Sequence, residues 1–146
     1  MKEITLIIPA KKEPNALPIV LNELKNYSPN INIIIVMQKD DEETLKAIKD
    51  YDCKIVFQTG RGYGNAILEG IKQSVTTYSC IFYADGSTDP KYISIMLNKS
   101  REEKLDVVFG SRYEKGAGSF DDDLITRVGN FSFINISPML RIHIFA

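Results

Sequence analysis

The residues best suited to chemistry lie in four short segments, each of which follows an apolar run of the sequence. The segments are Pro9–Glu13, Gly60–Gly64, Asp85–Ser87 and Gly110–Arg112. They carry glycines, arginines and a carboxylate, which are residue types that bind phosphate groups and divalent cations. The chain has one histidine and two distant cysteines, so Cys/His zinc chemistry and a Ser-His-Asp triad are excluded.

The segment TGRGYGNA is suited to binding an anion. Glycines let backbone N–H groups approach a phosphate at the start of a helix, and Arg61 would add a bidentate partner. Gly60, Gly62 and Gly64 do not form the dinucleotide motif G-x-G-x-x-G, because neither register has a glycine at the third position. The alternative is a glycine-rich connection that only turns tightly.

Asp85 in FYADGSTDP is the carboxylate best placed for catalysis. It ends an apolar run, where a buried charge is costly unless it faces a cleft, a cation or hydrogen-bond donors. One carboxylate beside Gly86 can hold Mg2+ or Mn2+ when phosphate oxygens of a ligand complete the coordination. A calcium loop is excluded, because Pro90 and Met96 replace its glycine and glutamate. For Asp89 the following proline favours helix capping.

Two arginines in the last third of the chain complete the set of candidates. Arg112 lies just beyond the fifth apolar run, in VVFGSRY, where we expect it to bind an anion; a solvated loop residue is the alternative. Arg127 follows the glycine- and acid-rich stretch Glu114–Asp123 and would reach the site as part of a lid. An ordinary surface arginine is an equally good interpretation of Arg127.

Alternating apolar runs and amphipathic patterns predict the elements that position these residues. Five strands are predicted, at Ile4–Ile8, Ile31–Met37, Lys54–Phe57, Cys80–Tyr83 and Asp106–Phe109. Their mostly continuous apolar runs indicate burial on both faces. The helical stripes between them are Leu17, Val20, Leu21 and Leu24; Thr44, Ala47, Ile48 and Tyr51; Ile67, Gly70, Ile71, Ser74 and Val75; and Ile93, Met96, Leu97 and Ser100. Asp40 or Asp41 would cap the second helix.

This order predicts an α/β fold with three layers, in which a doubly wound, mostly parallel sheet has helices on both faces. Ligands of such sheets bind beyond the carboxyl ends of the strands, where the four segments would meet.

Composition fits one globular domain over residues 1–146, with 44% hydrophobic and 25% charged residues. The 18 basic and 19 acidic residues show none of the basic excess of a nucleic-acid binder. Since we find neither a signal peptide nor a membrane-spanning run, we expect a cytoplasmic chain.

Five blocks of the sequence, in order, resemble glycosyltransferase family 2, particularly the branch of dolichyl-phosphate and polyprenyl-phosphate sugar synthases. The blocks are LIIPAKKEPNALP, GRGYGNAILEGI, YADGSTDP, VVFGSRY and Arg127-Val128-Gly129-Asn130. The resemblance covers almost the whole chain and implies the GT-A fold. It also implies inverting transfer of a hexosyl group from a nucleoside-diphosphate sugar, with Mg2+ or Mn2+, to an acceptor such as a polyprenyl phosphate. A lipid acceptor would bring the chain to the inner face of the membrane.

The resemblance assigns roles to particular residues. Asp85 would bind the metal and the donor diphosphate, and Arg112 and Arg127 would face phosphate groups of donor or acceptor. Three residues would contact the nucleoside: Pro9, Ala10 and Glu13. Tyr83 stands where the family's Asp-x-Asp motif has its first aspartate, so Asp85 would bind the metal alone.

Two further departures from the family affect the predicted function. Met37-Gln38 replaces aspartates that read the base in relatives, which leaves Asp40 or Asp41 for that contact. The sequence given ends at Ala146, where relatives continue, so we expect a domain truncated at its C-terminus. The alternative function is therefore a non-catalytic remnant that binds a nucleotide-sugar. A nucleotidylyltransferase ranks lower, because PAKKEP lacks the glycine-rich loop that this chemistry uses after the first strand.

Overall fold

A computed structural model describes residues 2–27, 30–110 and 143–145. The chain forms two compact units that meet in sequence after Lys91. The elements of the first unit are β1 (Ile4–Pro9), α1 (Ala16–Tyr27), β2 (Asn32–Met37), α2 (Glu42–Ala47), β3 (Lys54–Phe57), α3 (Tyr63–Gln73) and β4 (Tyr78–Ile81). The second unit contains α4 (Lys91–Glu103), β5 (Val108–Gly110) and β6 (His143–Phe145).

Four strands of the first unit form a parallel sheet in the order β3-β2-β1-β4. The Cα of Ile7 in β1 pairs with Ile34 of β2 on one side and with Ile81 of β4 on the other. The chain moves outward from β1 to β3 and then returns to the opposite side of β1. This reversal makes the sheet doubly wound, as predicted, and ligands of open α/β sheets bind where such a reversal occurs.

One face of the sheet is covered by α3. Its contact with the sheet is a buried cluster of Ile7, Ile34, Val36 and Ala66, against which Val56 packs. At Gly70 the helix approaches β1 so closely that an added Cβ would collide with the Ile7 side chain and lie 3.2 Å from Val36 Cγ2. A residue without a side chain is therefore what allows α3 to pack this tightly on β1 and β2.

We assign α1 and α2 to the other face of the sheet. The crossovers β1-α1-β2 and β2-α2-β3 run in the opposite direction to β3-α3-β4, and right-handed connections then place these two helices opposite α3. Because side chains alternate along a strand, Leu6 and Ile8 point away from the face on which Ile7 meets α3. Both are fully buried, as is the apolar stripe of α1, which consists of the predicted Leu17, Val20, Leu21 and Leu24. The Tyr51 hydroxyl, in the segment after α2, donates to the Pro18 carbonyl at 3.2 Å and joins the two helices. Helices on both faces give the three predicted layers.

Burial differs from the sequence prediction at the outer strands and on α3. The central strands β1 and β2 are largely buried, whereas β3 and β4 are partly exposed along their length. The predicted stripe of α3 is wrong in part, because Ile71 and Val75 are 47% and 90% exposed and the buried residues are Ala66 and Gly70. Because α3 packs closely on β1, the residues that face the sheet are small ones. The spacing of large apolar side chains in the sequence does not predict which residues these are.

The second unit is described by α4 and a short pair of strands. Helix α4 buries Ile93, one of the residues of its predicted stripe. The fifth predicted strand, Asp106–Phe109, is observed as β5, which pairs in parallel with β6 in a separate two-stranded sheet. The sequence analysis did not predict β6. Within the described residues, none of the helices combines the length and the apolar character needed to cross a membrane.

Candidate functional site

The segment after β1 is held against the beginning of α2 by two hydrogen bonds. The Lys12 N–H donates to Asp41 Oδ2 at 2.6 Å, and the Glu13 N–H donates to Thr44 Oγ1 at 2.9 Å. Lys12 has a φ of 59°, in the left-handed region that is unfavourable for residues other than glycine. The bond to Asp41 therefore helps to hold a strained turn at the carboxyl end of β1.

Asp41 also caps α2, since its Oδ1 accepts from the Thr44 N–H at 3.3 Å. Partial burial acts to raise the pKa of Asp41, but hydrogen bonds from Lys12 and Thr44 outweigh it and hold that pKa below its usual value. Of the two aspartates that the sequence offered as caps, the structure selects Asp41. Asp40 is exposed, and its contact with a nucleoside stays a prediction.

Two glutamines connect the end of β2 to the glycine segment after β3. Gln38 Nε2 donates to Gln58 Oε1 at 2.9 Å and to the Gly60 carbonyl at 3.1 Å. Gln58 Nε2 donates to the Gly62 carbonyl at 2.7 Å. From the sequence, Gln38 stands only in place of an aspartate of the family, and nothing marks Gln58 as a site residue. No spacing rule links them, because they meet only when β2 and β3 are paired.

The glycine segment requires glycine at Gly62 and is closely packed at Gly60. Gly62 has a φ of +88°, a conformation that other residues rarely adopt, and it forms the N-cap of α3. A Cβ on Gly60 would lie 2.7 Å from the side chain of Asn65. The Asn65 Oδ1 atom is itself buried and has no hydrogen-bond partner in the part of the chain that the structure describes. The start of α3 is thus closely packed, with the helix N-terminus at the carboxyl edge of the sheet.

A pair of tyrosines links this helix to the segment after β4. The rings of Tyr63 and Tyr83 are nearly parallel, at 6° between planes, with centroids 6.3 Å apart, and the two residues are 49% and 46% exposed. Burial, the Tyr83 hydroxyl and the negative charge of Asp85 together raise the pKa of Tyr63 to about 12. The Tyr63 phenol is therefore protonated at neutral pH and lies near Asp85. No pattern in the sequence predicts this pair, because Tyr63 and Tyr83 are 20 residues apart.

Asp85 lies on the surface beside the carboxyl end of β1. Phe82 continues the pairing of β4, because its N–H donates to the Ile7 carbonyl at 2.9 Å, and both Phe82 and Ala84 are buried. Asp85 is exposed, and its Oδ1 accepts from the Ser87 N–H at 2.9 Å in a tight turn. The described residues contain no group of three or more His, Cys, Asp and Glu side chains that could hold a metal. A cation here would depend on one carboxylate and on oxygens of a ligand.

Residues 5–145 match the family model described as Glycosyl transferase family 2. The chain belongs to this family.

Two curated proteins illustrate the similarity of this glycosyltransferase family 2 chain to its relatives. It is 27% identical over 160 residues to a UDP-N-acetylglucosamine–dolichyl-phosphate N-acetylglucosaminyltransferase of Methanococcus voltae, covering 95% of this chain and 63% of that protein. It is 24% identical over 113 residues to protein RfbJ of Shigella flexneri, covering 77% of this chain and 88% of RfbJ. The chain therefore spans less than two thirds of the methanogen relative.

Solved structures show the same fold at low sequence identity. A crystal structure of a mycobacterial protein superposes with a TM-score of 0.58 and 14% identity, over 75% of this chain and 41% of that one. A crystal structure of S. aureus TarS residues 1–349 gives a TM-score of 0.59 and 14% identity, over 82% of this chain and 40% of TarS. The predicted α/β fold of the GT-A type is confirmed.

Some of the remaining predicted site residues lie in the described part of the family 2 chain, and others lie outside it. Pro9 is the last residue of β1, and Ala10 follows it, with its N–H donating to the Val36 carbonyl at 2.9 Å. Arg61 is exposed on the glycine segment. Arg112 and Arg127 lie outside the described residues, so their roles stay predictions. Gly64, in the glycine segment, and Gly86, next to Asp85, are both exposed, and Gly86 has a φ of 79°.

Asp89 has the capping role that its sequence favoured. Its Oδ1 accepts from the Lys91 N–H at 2.9 Å at the first residue of α4, and its Oδ2 lies 2.8 Å from Lys91 Nζ. The hydrogen bonds from Lys91 lower the pKa of Asp89. Asp89 is thereby engaged with Lys91, and Asp85 is the aspartate of FYADGSTDP that lies nearest the tyrosine pair.

Proposed function

We propose that this chain transfers a sugar from a nucleoside-diphosphate sugar to an acceptor, for which a polyprenyl phosphate is our first candidate. The observation that carries the proposal is the exposed Asp85 at the reversal of strand order, next to the N-terminus of α3. Family membership supports sugar transfer as the reaction class. The name of the methanogen relative, which includes a nucleotide-sugar and a dolichyl phosphate, supports the choice of donor and acceptor.

The chemistry requires stabilisation of the charge that grows on the leaving diphosphate. An oxygen of the acceptor forms a bond to the anomeric carbon, the bond from that carbon to the diphosphate breaks, and the electron pair leaves with the diphosphate. The attack inverts the anomeric carbon. The positive end of α3 and the exposed Arg61 guanidinium would interact favourably with this charge.

A divalent cation fits the residues present at the site. Asp85 is exposed and is a hard oxygen ligand, and Mg2+ or Mn2+ often takes one or two carboxylates together with substrate phosphates. When bound, such a cation would supply charge neutralisation on the diphosphate. A polyprenyl phosphate acceptor is already an anion near neutral pH, so the reaction needs no general base from the protein. A lipid acceptor would also place the reaction at the membrane surface.

A non-catalytic nucleotide-sugar-binding domain is the second candidate. It is favoured by Tyr83, a neutral side chain at the position where the family motif has a carboxylate. A chain of this kind would bind the donor and leave it intact.

Two measurements test the proposal. Calorimetry with a panel of nucleoside diphosphates, with and without Mn2+, should detect binding to the wild-type chain. Transfer of a labelled sugar to polyprenyl phosphate in detergent should then be lost, by 100-fold or more, in Asp85→Asn. The matched control is Asp89→Asn, which keeps a good capping residue and should retain transfer.

The outcomes separate the two candidates. Binding without transfer by the wild-type chain would support the non-catalytic domain. Transfer that survives Asp85→Asn at the wild-type rate would refute the role of Asp85. Failure of every nucleoside diphosphate to bind would refute the donor site.

A further inference from the structure

We propose that Gln38 and Gln58 are positioning residues, which direct the backbone N–H groups of Arg61 and Tyr63 toward oxygen atoms of the donor nucleotide. The inference rests on the donor site proposed above. It concerns how the protein orients its own backbone at that site, and it assigns a purpose to two side chains that have no role in the scheme above.

The hydrogen bonds of the pair fix the orientation of both side-chain amides. A backbone carbonyl can only accept, so the nitrogen atoms of Gln38 and Gln58 must face Gly60 and Gly62. The second N–H of Gln38 is used by Gln58 Oε1. Reversing either amide would place two oxygen atoms against each other. Gln38 therefore holds the Gly60 carbonyl on the side of the glutamine pair. The Gly62 carbonyl accepts from Gln58 and also from the Ala66 N–H at 3.2 Å in the first turn of α3, so Gln58 adds to an orientation that the helix already favours.

Planarity of the peptide group then sets the direction of the N–H groups. All described peptide bonds are trans, and in a trans peptide the C=O of one residue points opposite to the N–H of the next. Because the Gly60 and Gly62 carbonyls point toward the glutamines, the N–H groups of Arg61 and Tyr63 point away from them. The glutamines directly follow β2 and β3. The N–H groups of Arg61 and Tyr63 therefore also point away from the ends of these strands.

These two N–H groups lack acceptors in the part of the chain described. Tyr63 is the first residue of α3, and the first N–H groups of a helix have no acceptor within the helix. Neither the Arg61 nor the Tyr63 N–H donates to any described residue. Both residues are exposed, and the Arg61 guanidinium belongs to the same turn. The turn thus presents several donors to a ligand rich in acceptor oxygens.

A nucleoside diphosphate offers such oxygens on its phosphates and on its base. The experiment uses UDP, the nucleotide in the name of the methanogen relative, together with uridine and inorganic pyrophosphate as separate probes. Isothermal titration gives a Kd for each probe with the wild-type chain and with Gln38→Met and Gln58→Met. The matched control is Gln73→Met, which removes an exposed hydrogen bond from Lys54 Nζ at the end of α3.

We expect Gln38→Met to raise the Kd for UDP roughly tenfold, which is the loss of one or two well-formed hydrogen bonds. Gln73→Met should change the Kd less than twofold. If pyrophosphate binding falls in parallel, the N–H groups face phosphate oxygens; if uridine binding falls, they face base carbonyls. Either result supports the proposal. Equal Kd values for Gln38→Met, Gln73→Met and the wild type would overturn it, although the proposed function would stand.

Two glutamate variants distinguish orientation of the turn from a general loss of packing. Gln38→Glu keeps the size of the side chain but replaces its donors by oxygens facing Gly60 and Gln58, so binding should weaken at least as much as in Gln38→Met. Gln58→Glu still accepts from Gln38 and replaces one donor, the one facing the Gly62 carbonyl, by an oxygen, whereas Gln38→Glu replaces two, so the effect of Gln58→Glu should be smaller. The opposite order would contradict the proposal. Urea unfolding of each variant shows whether it is folded.

The amide resonances of Arg61 and Tyr63 give a direct spectroscopic readout. In 15N-labelled wild-type protein, saturating UDP should move both amide protons downfield, and in Gln38→Met the movement should be reduced. Absence of any shift at saturation in the wild type would refute the proposal while leaving nucleotide binding in place. If the wild type binds UDP with these shifts but transfers no sugar, the proposed function fails and the positioning role stands. If the wild type binds none of the three probes, the positioning proposal fails, and the proposed function fails with it if the other nucleoside diphosphates do not bind either.

Discussion

Replacing Asp41 by alanine removes two hydrogen bonds with one substitution and should destabilise the folded chain measurably. Its Oδ1 caps α2 through the Thr44 N–H, and loss of such a cap costs about 1 kcal/mol. Its Oδ2 accepts from the Lys12 N–H at 2.6 Å, and we assign about 1 kcal/mol to this exposed bond. Lys12 would then keep its left-handed backbone without its partner. We therefore expect the free energy of unfolding to fall by about 2 kcal/mol.

The assay is urea unfolding at pH 7, with the free energy taken from the midpoint at an unchanged slope. The neighbouring Asp40 supplies the control, because it is exposed and does not cap α2. Asp40→Ala should change the free energy of unfolding by less than about 0.5 kcal/mol. Equal effects of Asp40→Ala and Asp41→Ala would show that the capping argument is mistaken.

The pH dependence of the same variant tests the electrostatic part of the argument. The pKa of Asp41 in the folded chain lies below its usual value of 3.8. The stabilisation that this carboxylate contributes is therefore present above pH 3.8 and is lost as the pH falls through the lower, folded-state pKa. The difference in free energy of unfolding between the wild type and Asp41→Ala should become smaller as the pH falls through that range. A difference that grows on acidification would refute the assignment.

Three other predictions follow from packing and titration. Gly70→Ala should lower the free energy of unfolding by about 1 to 3 kcal/mol, since no Cβ fits there. Gly64→Ala, in the same helix with open space around it, should be neutral or stabilising. An equal loss of stability in Gly70→Ala and Gly64→Ala would contradict the packing argument. In an ultraviolet titration Tyr63 should ionise near its raised pKa of about 12, so folding stability should decline as pH rises above 10; its ionisation with the other tyrosines would contradict this. Burial raises the pKa of Cys80 to about 11 and, with the charge of Asp52, raises that of Cys53. Partial alkylation read by mass spectrometry should find Cys53 modified first, and the reverse order would contradict the burial argument.

Local sequence patterns were enough to predict the kind and order of the elements from β1 to β5, but not β6. The stripe of α1 and the apolar runs of β1 and β2 are local patterns. The helical period places the α1 side chains on one face, and a continuous apolar run marks a strand that is buried on both faces. The cap Asp89 is local as well, since it acts on a residue two positions away. Strands that alternate with helices require crossovers, and this was enough to predict a parallel sheet with its ligand site at the carboxyl edge.

Tertiary structure alone decided which side chains meet at that edge. The tyrosine pair forms only because β4 lies beside β1, and the glutamine pair forms only because β3 lies beside β2. Asp41 caps α2 through the nearby Thr44 N–H, and only the folded chain also brings to it the Lys12 N–H, from 29 residues away in the chain. The residues of α3 that face β1 are small because the helix lies too close to the sheet for larger apolar side chains. These contacts depend on strand order and backbone direction over long separations in sequence, which local periodicity does not encode.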